Sequence, residues 1–61
     1  RDELSANALW LATRSLEAGE EDEAVNYALR ALDLGLEREA LRDRDDLEAV
    51  LRDPRVRERI R

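Results

Sequence analysis

Gly19 and Gly35 are the only two glycines in the 61-residue chain, and each stands where a helix would have to end. Glycine adopts a positive φ without steric cost, and helices commonly close on such a residue just past their last turn. The stretch before Gly19 reads as a helix from about Asp2 to Ala18. Asp2 and Glu3 place negative charge at its start, where the helix dipole favours it. Leu4, Ala8, Leu11, Ala12 and Ser15 recur at helical spacing and form the expected packing face. Between the glycines, Glu20, Glu21, Asp22 and Glu23 open a second helix that reaches about Leu34. Ala24, Ala28, Ala31 and Leu32 make its buried face, and Val25 and Leu29 widen it. A connection as tight as the one through Gly19 forces the two helices antiparallel, giving an αα-hairpin.

Composition leaves no rival architecture. Nine Ala, eleven Leu, nine Glu and eleven Arg dominate the chain, against five β-branched residues (Thr13, Val25, Val50, Val56 and Ile60) and a single proline. The expected fold class is all-α, and a β-sandwich or doubly wound sheet is excluded. The core is thin, however. Of the 43% hydrophobic residues nine are alanine, and a domain this small buries only about 60% of its unfolded surface. Such a hairpin is expected to gain stability from something packed against it.

Beyond Gly35 the periodic segments shorten. Leu36, Ala40 and Leu41 read as a brief helical turn. The run Asp43-Arg44-Asp45-Asp46 supplies capping carboxylates for a short helix carrying Leu47, Val50 and Leu51. Glu48 and Arg52 stand in the favourable i, i+4 order. Asp53-Pro54 marks a further start, an acid at the cap and proline at the first helical position, and Val56 and Ile60 give that helix one apolar side. The expected organisation is a hairpin over 1–35 and a short-helix cap over 36–61, packed together as one unit. The first residue, Arg1, with no initiator methionine before it, reads as the start of an excised piece of a longer protein.

The first helix carries a second apolar stripe beside its packing face: Ala6, Leu9, Trp10, Thr13 and Leu16. Two adjacent stripes are more than one partner helix covers. Trp10 is therefore expected to meet a neighbour, and Tyr27 is expected either there or in ordinary packing.

The chain lacks Cys, His, Met, Phe and Lys. Disulfides, Cys/His zinc sites and thiol or imidazole catalysis are excluded. Ser5, Thr13 and Ser15 have no His, Lys or Cys to activate them, so no enzyme is expected. The acids Asp43, Asp45 and Asp46 lack the glycine and distal glutamate of a calcium loop and read, like Glu20–Glu23, as solvated helix starts; no cofactor is expected. The net charge of −5 disfavours nucleic acid. Its distribution is uneven, −8 over residues 1–51 and +3 over 52–61, and the basic tail reads as complementing its own helix dipole and the acidic remainder. Arginine as the sole basic residue suits bidentate carboxylate pairs. No membrane span or signal peptide is evident, which makes a cytoplasmic setting the default.

The hairpin resembles a tetratricopeptide repeat. Leu11-Ala12 matches that family's large–small pair in the first helix, Ala24, Ala28 and Ala31 match the spacing of its second, and Gly19 followed by Glu-Glu-Asp-Glu-Ala is similar to its inter-helix turn. It departs from the family at Ala8, Ser15 and Ala28, where larger residues are usual, and at Leu36, where proline is. Gly35-Leu36, Asp46-Leu47 and Asp53-Pro54-Arg55-Val56 are similar to the segment that ends an array in some bacterial repeat proteins, with Val56 replacing an aromatic. The resemblance covers roughly residues 5–60. It implies a non-catalytic protein–protein interaction module at the end of a scaffold, with Ala6, Leu9, Thr13, Leu16 and Glu17 facing a peptide groove and preceding repeats or a protein partner as neighbours. The residues that grip a peptide carboxylate in some members have no counterpart. An alternative is an oligomerisation subunit that self-associates through the Trp10 face.

Overall fold

A computed structural model describes residues 2–61; Arg1, and with it the reading of the chain as an excised piece, lies outside the described residues, as do the side chains of Asp2 and Glu3 expected to favour the helix start. The fold is all-α, with no strand among the described residues. Helix α1 spans Asp2–Glu17 and α2 spans Glu21–Asp33, followed by α3 (Arg38–Arg42), a 3-10 turn (Asp45–Leu47), α4 (Glu48–Leu51) and α5 (Pro54–Ile60). The first two form the antiparallel hairpin. The short elements fold back on it, α4 and α5 against α2 and the 3-10 turn against α1, while α3 packs on α5.

Both glycines do what their positions predict. Gly19 has φ +82° and Gly35 φ +111°. At the first, Gly19 N–H donates to Leu16 O at 3.0 Å and Glu20 N–H to Ser15 O at 2.9 Å. At the second, Gly35 N–H donates to Leu32 O at 3.1 Å and Leu36 N–H to Ala31 O at 3.0 Å. This paired pattern is the Schellman closure, which satisfies carbonyls that the last helical turn leaves over. Asp53 likewise caps α5, accepting from Arg55 N–H at 2.8 Å with Pro54 in the first turn.

Small residues set how the hairpin closes. Ser5, Ala8, Ala12 and Ser15 of α1 are buried, as are Ala24, Ala28 and Ala31 of α2. Side chains this short let two helix backbones approach closely, but they contribute little apolar bulk. The bulk lies elsewhere: the largest fully buried side chains are Leu41, Leu47, Val25, Val50 and Val56. All but Val25 belong to the segment after the hairpin. The short elements thus supply the heavy part of the core and are more than a lid.

Two expectations are corrected. Leu4 and Leu11, read as part of the packing face, are 56% and 37% exposed. The buried stripe starts instead from Ser5, because matching small residues to small residues rotates α1 slightly about its axis. The aspartate run at 43–46 caps nothing. The 3-10 turn begins after Arg44 and α4 after Leu47, neither with a side-chain cap, and the expected single helix is split between them. Asp46 is drawn off by the Arg44 guanidinium, a charged donor that outcompetes a backbone N–H.

A Cβ built on Gly19 meets nothing within 4 Å, so any cost of adding one is purely conformational. Gly19→Ala is expected to destabilise the chain by about 1–2 kcal/mol in denaturant melts. A synthetic chain with D-alanine there, suited to positive φ, is expected to lose nothing. Equal losses for both would place the penalty in sterics instead.

Candidate interaction surface

A helix that turns 100° per residue presents separate faces, and α1 has three in use. Ser5, Ala8, Ala12 and Ser15 face α2. Leu9, Thr13 and Leu16 form the side turned to the capping elements. Thr13 Oγ1 accepts from Arg44 Nη2 at 3.2 Å and donates to Leu9 O at 3.1 Å, which pins the 3-10 turn to α1. Leu9 is only 8% exposed and Leu16 packs against the core. The third face carries Trp10, 58% exposed, with the Arg14 guanidinium 5.3 Å from its ring centroid. That spacing is within reach of a cation–π contact, which shields one ring face one turn along.

The stripe read from sequence is therefore divided. Of the six residues expected to meet a partner, Trp10, Ala6 and Glu17 are exposed, Thr13 and Leu16 are half-buried, and Leu9 is buried. Thr13 and Leu9 are already engaged with the chain's own cap. Ser5, Ala6 and Leu9 line one wall of a shallow groove whose other wall is Leu36 and Ala40.

A different face is open. Leu4 lies 180° around α1 from Thr13 and Leu11 lies 160° from it, so both are turned away from the cap. On α2, the cap side is marked by ion pairs: Arg55 reaches Asp22 at 3.7 Å and Arg59 is bonded to Asp33. Tyr27 lies 140° and 120° from those two aspartates around the helix, beside exposed Glu23 and Asn26, with which it lines a shallow recess. In an antiparallel hairpin these flanks of α1 and α2 fall on the same side. Leu4, Leu11, half-buried Tyr27 and half-buried Leu34 thus share one face, opposite the cap. Sequence reading missed this face because it assigned Leu4 and Leu11 to the hairpin core. The signal was present in the Ser5–Ala8–Ala12–Ser15 stripe, whose spacing matches the alanines of α2.

The cap is held by arginine. Arg44 grips Asp46 with two bonds, Nε to Oδ1 at 2.9 Å and Nη2 to Oδ2 at 2.8 Å. Arg55 grips Asp53 in the same way at 3.0 and 3.1 Å. These are the bidentate pairs that arginine favours. Arg38 and Arg42 reach the other end of α5, donating to Arg61 O at 2.7 Å and to Ile60 O respectively, where cations complement the helix dipole. Glu48 accepts from Arg52 at 2.6 Å as the i, i+4 spacing requires. Among the described residues no three acidic side chains gather as a metal site, and no helix is long and apolar enough to cross a membrane. Set against known protein families, curated proteins and solved structures, the chain matches none of them.

The Arg44 side chain holds the Asp46 carboxyl below the usual carboxylate range, and the Arg55 side chain and backbone N–H do the same for Asp53. A carboxyl whose folded pKa is depressed stabilises the fold above its unfolded value, near 3.9, and that contribution is lost as pH falls toward the folded value. Acidification from pH 7 to about 3 is therefore expected to cost the native chain more stability than it costs the Asp46→Asn, Asp53→Asn double variant in urea melts followed by circular dichroism. Identical losses would remove the two pairs from the account.

Proposed function

We propose that the chain is a non-catalytic protein–protein interaction module, a tetratricopeptide-like hairpin with a short helical cap that serves as the terminal part of a helical scaffold in the cytoplasm. The observation that carries this reading is the one-sided closure of the hairpin. The cap covers one flank of the α1–α2 layer, and the opposite flank exposes Leu4 and Leu11 beside half-buried Tyr27. Stacked helical repeats bury a continuous core between neighbours, and their terminal units are capped on the outer side only. An end unit is thus expected to be closed on one side and apolar on the other, the pattern seen here. The resemblance of Gly19 and its following acids, Ala24–Ala28–Ala31 and Asp53-Pro54-Arg55 to repeat and end-of-array segments supports the same conclusion.

Exposed Trp10 on the outward face of α1, with Ala6 and Glu17 near it, is the second contact surface of this reading, the one a peptide or protein partner would meet. Large aromatics contribute disproportionately to such contacts.

A module of this kind gains stability from whatever closes its open flank, so the chain alone is expected to melt without cooperativity. Where copies of it close that flank on one another, the melt depends on concentration. Thermal melts by circular dichroism, run from about 5 to 500 µM, are then expected to shift upward across the series. A monomer that melts cooperatively and independently of concentration above about 60 °C would show that the hairpin needs no neighbour.

A further inference from the structure

We infer that the open flank closes on a second copy of this chain, with the two α2 helices running antiparallel so that Glu23 of each copy faces Arg30 of the other. The inference rests on the reading of the chain as an interaction module and names the neighbour that meets its apolar side.

The charges of α2 point to this occupant. On the cap side, two of its acids are used within the chain, Asp22 with Arg55 and Asp33 with Arg59, while exposed Glu21, beside Ala49 and Arg52 of the cap, has no ion pair among the described residues. On the open side, Glu23 and Arg30 are exposed, and among the described residues neither has an ion pair. They stand seven residues apart, about 10 Å along the helix, so they lie on nearly the same side of it. Tyr27 sits between them, half-buried, and Leu11 is exposed on the same flank of α1.

This arrangement is self-complementary under one operation. A two-fold axis lying in the open face and crossing α2 near Asn26 and Tyr27 reverses the direction of the second helix. Glu23, toward the N-terminal end, then meets Arg30, toward the C-terminal end of the partner copy's helix, and the reciprocal pair forms by symmetry. Tyr27 and Leu11 occupy the centre, with the ion pairs at the rim, the usual anatomy of an isologous interface. A parallel copy would instead set Glu23 against Glu23 and Arg30 against Arg30. Nucleic acid is disfavoured at this surface by Glu20 and Glu23, which would repel phosphate.

Charge reversal tests this without touching a buried residue. Sedimentation equilibrium of the full chain in low salt is expected to show a monomer–dimer equilibrium. Glu23→Arg and Arg30→Glu, each alone, are expected to weaken dimerisation about tenfold by setting like charges together. The double reversal is expected to restore it, because the pairs re-form with opposite polarity. Mixing the two single variants is expected to give heterodimers stronger than either homodimer. A native dimer that ignores all the reversals, or single variants that weaken it with neither the double variant nor the mixture recovering, would overturn the antiparallel pairing. If the native chain is monomeric up to about 1 mM yet melts without cooperativity, a second copy is not the occupant and the module reading stands, its neighbour being another helical protein. If that monomer melts cooperatively and independently of concentration, both fall.

Discussion

The seam of small residues between α1 and α2 governs the rest of the molecule. Ser5, Ala8, Ala12 and Ser15 against Ala24, Ala28 and Ala31 bring the two helices close, and closeness is obtained at the expense of bulk. Each alanine removes far less apolar surface from water than a leucine would. The hairpin alone therefore has little to offset the entropy of ordering some thirty residues. Leu41, Leu47, Val50 and Val56 make up the shortfall on one flank. On the other flank the described residues supply only half-buried Tyr27 and Leu34 and leave Leu4 and Leu11 exposed, and the proposed role as an interaction module follows from that asymmetry.

Polar contacts decide how the cap sits and add little net stabilisation. Most of the ion pairs have both side chains at least one-third exposed, where such pairs contribute under about 1 kcal/mol each. Their geometry is specific all the same. Arg44 ties together Asp46 in the 3-10 turn and Thr13 in α1, while Arg59 ties α5 to Asp33 at the end of α2. Arginine can do this because its planar fork bonds two acceptors at once. The cap is thereby fixed at three places on the hairpin, through Thr13 of α1 and through Asp22 and Asp33 of α2.

The legible parts of the fold were those fixed by local chemistry. Gly19 and Gly35 could be read as helix ends because positive φ is a property of one residue in its own backbone. Asp53-Pro54 was legible for the same reason. What could not be read from the chain locally was the rotation of α1. Leu4–Ala8–Leu11–Ala12–Ser15 and Ser5–Ala8–Ala12–Ser15 differ by a fraction of a turn, and only the size of the residues on α2 selects between them. The division of the Trp10 stripe was hidden likewise, since Leu9 meets Leu36 and Ala40, and Thr13 is engaged by Arg44, thirty-one residues further along the chain. The aspartates at 43–46 looked like caps because the competing guanidinium lies within the same run.

On the proposed reading, the flank opposite the cap, and not the Trp10 face, is the surface that needs a neighbour for stability. Nuclear magnetic resonance of selectively labelled chain across a dilution series measures this directly. Concentration-dependent shifts are predicted at the Leu11 methyls and the Tyr27 ring, with the Trp10 indole unchanged. Shifts at Trp10 with Leu11 and Tyr27 unmoved would contradict it.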